Sequence, residues 1–212
     1  MSIQTDLTRI KNAKAAIKAA IEGKGVTVPD GTLLDGMAAL IEGIEAGGGG
    51  ATESIISFVA DPANNNKMTS ANVDAEIVPF GVFKDAVKLS SVELSNKVKI
   101  IGYNAFSGCY SLVLQAFPSS LQVIDGGAFA SCEKITISHI PSGVKSIGNY
   151  AFSYCKQLTN ITFDGKPDTI SESAFNACTN ITTINVPWAE GEVANAPWGA
   201  TNATINYNYT GA

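Results

Sequence analysis

The sequence predicts an α+β protein in which an N-terminal helical hairpin is joined by a glycine tether to a stacked array of short parallel strands. Three observations predict it. Phe106, Phe129, Phe152 and Phe175 recur at one constant step, as do Ala105, Ala128, Ala151 and Ala174, and Cys109, Cys132, Cys155 and Cys178. A fixed period of about 20 to 50 residues marks a repeat architecture in which each unit buries its apolar edge against the next. Upstream, apolar residues at spacings of three and four fill residues 3–22 and 33–44, the pattern of a helix with one buried face. Between these patterns lies Gly47-Gly48-Gly49-Gly50, whose ordering inside a packed element would cost too much chain entropy.

In chain order, Ile3, Leu7, Ile10, Ala13, Ile17 and Ile21 give the first amphipathic helix, stopped by Gly23 and Gly25. Thr32-Leu33-Leu34-Asp35 has the form of a capping box with Asp in place of the usual Glu or Gln, and Leu33, Leu34, Met37, Leu40, Ile41 and Ile44 form the second stripe. The first helix carries Arg9, Lys11, Lys14, Lys18 and Lys24 against Asp6 and Glu22, while the second carries only Asp30, Asp35, Glu42 and Glu45. Opposite signs favour a hairpin. Ile3, Ile10 and Ile17 also recur at a heptad step, with Leu7 and Ile21 on the companion step and Lys14 interrupting it. The face Ile3, Leu7, Ile10, Ile17, Ile21 therefore serves either a parallel trimer or the inside of the hairpin.

After the tether, the apolar run 54–59 reads as a strand and Asn64-Asn65-Asn66 as a turn, together covering the first coil. The repeats follow. Ile101, Ile124, Ile147 and Ile170 share the step of the phenylalanines, and Val78, Val82, Phe83, Ala86 and Leu89 form a degenerate first copy. One unit reads Ile147-Gly-Asn-Tyr-Ala151-Phe152-Ser-Tyr-Cys155-Lys-Gln-Leu158-Thr-Asn-Ile161-Thr-Phe163. That is a tight turn around Ala-Phe-x-x-Cys, a short strand, a polar corner marked elsewhere by Pro118, Pro141 and Pro187, and a second extended stub. Stacked about 4.8 Å apart, such coils bring like residues into columns. Pro197-Trp198-Gly199 and the alternation Ile205, Tyr207, Tyr209 read as a closing strand. The expected organisation is a docking or oligomerisation hairpin at 1–46, a linker at 47–53, an N-terminal cap at 54–77, five repeats at 78–188 and a C-terminal cap at 189–212.

Composition narrows the function classes. With 212 residues, 45% apolar and 16% charged, the chain is long enough for a substantial core and lacks the composition of a disordered tail. A net charge of -5 gives no electrostatic footprint for nucleic acid or an anionic membrane. No run approaches the roughly 18 apolar residues of a membrane span, and Ser2-Ile3-Gln4-Thr5-Asp6 lacks the layout of a secretory signal.

The unit Ile-Gly-x-x-Ala-Phe-x-x-Cys-x-x-Leu-x-x-Ile-x-Phe, or Val-Pro at its end, resembles the BspA-like leucine-rich repeats of bacterial surface proteins and some bacteriophage structural proteins. The resemblance implies a right-handed leucine-rich-repeat solenoid of short parallel strands, used for adhesion or recognition without a shared active site. Two departures stand out: Gln115 and Ser138 occupy the positions of Ile161 and Ile184, and Ala86 replaces the cysteine of the first unit. The early coils are expected to bulge or twist differently. The leader from Ile10 to Ala46, with its turn Lys24-Gly-Val-Thr-Val-Pro-Asp-Gly-Thr-Leu-Leu-Asp-Gly36, resembles the short helical leader of tail-associated proteins of phages that infect Gram-positive gut bacteria. That resemblance implies a virion component assembled in the host bacterial cytoplasm, a tail fibre or receptor-binding protein held to other virion proteins, and to copies of itself, through its helices. The solenoid would then contact a host cell-surface glycan or protein. A purely structural decoration and a bacterial cell-surface adhesin are the alternatives.

Candidate sites follow from the alignment of units. Thr136, His139, Thr159, Thr162, Thr182 and Asn185, with Val113 and Ala116 before them, are expected to face outward from one sheet as a recognition strip, although threonine also suits any solvated strand. Trp188 and Trp198 flank an acidic loop with Glu190 and Glu192, and serve either as a rim that stacks on sugars or as an end cap. Cysteines spaced evenly by the repeat period place one thiol in each coil, which suits buried small hydrophobes and not a metal site. His139 is the only histidine, and Asp164 with Asp168 or Glu190 with Glu192 are solvated loop carboxylates with nothing beside them to tune a pKa. No catalytic residue, metal or cofactor is expected.

Overall fold

The structure is a computed structural model that describes residues 55–59 and 68–211, all within one compact unit, Glu53–Ala212. Its strands are β1 Ile55–Val59, β2 Ser70–Asp74, β3 Ile77–Val78, β4 Ser91–Leu94, β5 Ile100–Ile101, β6 Val123–Ile124, β7 His139–Ile140, β8 Ser146–Ile147, β9 Asn160–Phe163, β10 Thr169–Ile170, β11 Thr183–Asn185 and β12 Thr204–Asn206. One sheet runs β3-β5-β6-β8-β10, parallel throughout, with each residue opposite its equivalent one repeat later, as Ile101 is to Ile124. That register holds because Val78, Ile101, Ile124, Ile147 and Ile170 are all buried, and a slip of one residue would turn the whole row outward. A second parallel sheet runs β7-β9-β11-β12, and a third, β1-β2-β4, has its first pair antiparallel.

The third side of each coil is the Ala-Phe-x-x-Cys turn, which has a ladder of its own. The Phe83, Phe106, Phe129 and Phe152 amides donate to the carbonyls of Ala105, Ala128, Ala151 and Ala174 in the next coil. The residues between bond back within their own coil, as Ala86 does to Phe83 and Cys109 to Phe106. Asp85, Gly108, Ser131, Tyr154 and Ala177 all have φ between 57° and 75°, a column of left-handed residues that an α-helix cannot pass through. Among the described residues there is no helix, which corrects the α+β class: the fold is a parallel β-solenoid of about six turns. So short a coil, spread over three sides, leaves only this hydrogen-bonded turn where a longer repeat would place a helix. The hairpin expected at 1–46 lies outside the described residues.

Stacking rings form the centre of the core. Phe83, Phe106, Phe129, Phe152 and Phe175 are all fully buried, with successive centroids 4.9, 5.2, 5.6 and 5.2 Å apart and planes within 10°. Each cysteine thiol donates to the phenylalanine carbonyl of the preceding coil: Cys109 to Phe83 at 3.0 Å, Cys132 to Phe106 at 3.0 Å, Cys155 to Phe129 at 3.2 Å and Cys178 to Phe152 at 2.8 Å. All four cysteines are free thiols.

The departures at Gln115 and Ser138 do alter the early coils. Leu114 and Ile137 are buried there, one position earlier than Ile161 and Ile184, while Gln115 and Ser138 are exposed. The ladder shifts with them: Thr136 donates to Leu114 but Thr162 to Ser138. The sheet is consequently interrupted, with β4 joined to the next coil only by a bridge between Ser91 and Val113.

Candidate functional site

The outward face of β7, β9, β11 and β12 presents a regular polar surface. Its side chains are placed by the strand alternation, since Ile161 and Ile184 point inward between Asn160 and Thr162 and between Thr183 and Asn185. Of the predicted strip, Thr136, His139, Thr159 and Thr182 are exposed, and Thr162 and Asn185 are half-buried. The structure links some of them across coils. Asn206 Nδ2 donates to Asn185 Oδ1 at 2.8 Å, and Asn185 Nδ2 donates to Thr162 Oγ1 at 3.1 Å. In parallel, Thr182 Oγ1 donates to Asn160 Oδ1 at 3.3 Å. His139 Nδ1 lies 2.8 Å from Asp164 Oδ1, both groups well exposed. Thr136 and Thr159 take no part in this side-chain network.

Asn160 and Asn206 are members of the network that the sequence alignment missed. Asn160 lies one full period before Thr183 and pairs with it in the sheet, so the repeat did carry it. Asn206 pairs with Asn185 at a shorter step, because the last coil is contracted, and a strict period steps past it.

Trp188 and Trp198 do not form a rim. They are 4% and 0% exposed, and with Phe163 they make a cluster with centroids 5.3, 6.0 and 6.3 Å apart that closes the end of the core. Trp198 Nε1 donates to Ala194 O at 2.7 Å, whereas Trp188 Nε1 is buried without a partner. Trp198 and Val193 stand one period after Phe175 and Ile170, and both are buried. The phenylalanine and isoleucine columns therefore continue into a sixth coil under changed residue types, and extending the period once more would have found it.

Burial pushes the Cys132 and Cys155 thiols well above their ordinary range, so they are poor nucleophiles. Among the described residues no group of three or more His, Cys, Asp and Glu side chains is placed to hold a metal ion. The ion pairs Lys97–Asp74, Lys99–Glu76 and Lys156–Glu133 join adjacent coils at the surface; such exposed pairs add little stability. The arrangement offers hydrogen-bonding groups on a rigid support. The face Ile3, Leu7, Ile10, Ile17, Ile21 lies outside the described residues.

Comparison with known proteins agrees with this architecture. The BspA type leucine-rich repeat region matches residues 76–195 in six copies. A leucine-rich cell surface protein from Faecalibacterium prausnitzii A2-165 aligns at 29% identity with a TM-score of 0.49, over 60% of this chain and 35% of its own. A leucine-rich repeat protein of T. pallidum aligns at 20% identity with a TM-score of 0.47, over 76% of this chain and 82% of its own. The pneumococcal vaccine antigen PcpA aligns at 16% identity with a TM-score of 0.47, over 65% of this chain and 41% of its own. This chain thus spans about a third of the F. prausnitzii protein and under half of PcpA. Among curated proteins none matches it. With six copies of the unit over more than half its length, the chain belongs to the BspA-type leucine-rich repeat family.

Proposed function

We propose that the chain is a non-enzymatic recognition protein whose solenoid adheres to a bacterial surface. One observation carries the reading. The chain of hydrogen bonds Asn206 to Asn185 to Thr162 fixes polar side chains at one-coil intervals on a rigid sheet, so a ligand meets groups already ordered. The setting proposed from the leader's resemblance is a virion, in which the N-terminal residues attach the chain to other virion proteins and the solenoid faces the host. Several copies held together would turn weak individual contacts into firm attachment.

The test is retention of the full-length chain on intact Gram-positive bacterial cells and on their purified walls. Saturable binding is expected, with Asn185→Arg weakening it by more than the small loss of stability, about 1 kcal/mol per bond, that its two cross-coil hydrogen bonds represent. Binding that does not saturate on either material would sink adhesion and leave the decorating role; turnover of a wall glycan would sink the non-enzymatic reading.

A further inference from the structure

The second parallel sheet stops at β12, which among the described residues has β11 on one side and no strand on the other. The backbone groups that β12 leaves unused follow from its ladder. The Thr204 amide donates to Thr182, the Asn206 carbonyl accepts from Val186, and the Asn208 amide donates to Trp188. Thr204 and Asn206 thus turn their groups toward β11, in register with Thr183 and Asn185. A planar trans peptide sets its N–H and C=O on opposite sides, so the N–H and C=O groups of Ile205 and Tyr207 point the other way, to the open edge.

The side chains agree with the backbone. Ile205 stands beside Ile184 in the sheet, and Tyr207 continues the alternation beside Val186. Ile184 and Val186 are 0% exposed, whereas Ile205 and Tyr207 are half-buried. Both pack on the core, yet lack the further strand that buries their counterparts. Edges of this kind are ordinarily blunted by lysine, proline or a bulge, but Thr201 to Gly211 contains no charged residue and no proline.

What fits this edge is its own sequence. With two copies of β12 set antiparallel about a two-fold axis at Asn206, Ile205 of each falls opposite Tyr207 of the other, and these are the residues whose groups face outward. Each such pair exchanges two backbone hydrogen bonds. On the inner face the same pairs set a β-branched side chain against an aromatic one, a favourable cross-strand combination. On the outer face Asn206 meets Asn206, with Oδ1 available as an acceptor because Nδ2 makes the bond to Asn185. No charge is brought against its like.

We propose that β12 is a dimerisation edge, through which two copies of the chain join end to end by an antiparallel β12–β12 pair centred on Asn206. The contact is isologous, so it closes at two copies and does not propagate. It goes beyond the adhesive reading and does not depend on it.

Amide hydrogen exchange of the full-length chain, read residue by residue by NMR over a range of protein concentrations, tests this. The Ile205 and Tyr207 amides should exchange at nearly the unprotected rate in dilute protein and slow by about tenfold or more in concentrated protein. The Asn206 amide, held by β11, should stay slow throughout. Asn206→Lys sets two ammonium groups opposite each other and should abolish the slowing. Asn206→Asp should abolish it too, and an equimolar mixture of the two variants should restore it, which a mere loss of the Asn185 bond would not do. Exchange at Ile205 and Tyr207 that ignores concentration overturns the proposal, whether fast throughout, as at a bare edge, or slow throughout, as at an edge covered by the chain's own residues. Slowing that survives Asn206→Lys, or a mixture that fails to restore it, overturns it as well. Self-association elsewhere in the chain would raise the molecular mass without slowing these two amides, and counts against the proposal in the same way.

Discussion

Truncating the middle of the ring stack, Phe129→Ala, is the sharpest probe of how the solenoid is held together. Phe129 is fully buried and lies between Phe106 and Phe152, with centroids at 5.2 and 5.6 Å, while Phe117 tilts against it at 5.5 Å. Removing the ring loses a transfer term of about 1.5 to 3 kcal/mol and leaves a cavity that a column anchored by backbone ladders on every side closes only partly. The expected cost is about 3 to 5 kcal/mol. Each stacked pair adds about 0.5 to 1.5 kcal/mol beyond area. Urea unfolding followed by circular dichroism, with slopes compared to confirm a single transition, measures the loss. A Phe129→Ala loss under about 1 kcal/mol would refute a stack whose members support one another across coils.

Three further outcomes are expected. Gly148→Ala should destabilise by about 1 to 3 kcal/mol or more, because its β-carbon would meet backbone atoms of Asp125 and Gly126 within 2.9 Å; thermal unfolding reads it, and an unchanged midpoint would mean the coils are not in close contact there. Burial raises the Cys132 thiol, so the unfolded chain releases that proton first and stability should fall as pH rises past about 8.5. Cys132→Ala should flatten this slope in urea titrations at stepped pH, and an unaltered slope would count against it. Hydrogen bonds from Lys97 and Ser95 hold the Asp74 carboxyl below its ordinary range, so its contribution is present at neutral pH and lost as pH falls through the lowered value. In an NMR titration Lys97→Met should move the Asp74 midpoint upward, whereas a stationary midpoint would show that Lys97 is not its partner.

How much of this was legible in the sequence depends on whether a feature repeats. The Phe and Cys columns and the inward isoleucines could be read directly, since every coil imposes the same burial on the same position. The disturbance at Gln115 and Ser138 was legible as a mismatch, though not its form, because moving burial to Leu114 and Ile137 needs the neighbouring ladder to slip with it. The helical class failed for the opposite reason: it rested on residues 1–46, outside those described, while the repeats themselves had offered a turn. Trp188 and Trp198 were readable as rim or cap, and only the cluster with Phe163 decides for the cap.

The alternating bonds of the Ala-Phe-x-x-Cys turn also bear on how the molecule carries load. Bonds between coils lie along the solenoid axis on the turn side as well as in the sheets, so tension along that axis must rupture the whole perimeter of a coil at once. A sideways tug on β12, whose pairing is to β11 alone, breaks contacts one after another, as a zip opens. Resistance to pulling is thus a matter of direction: an anchor loaded lengthwise should hold against drag that would peel the same structure from its edge.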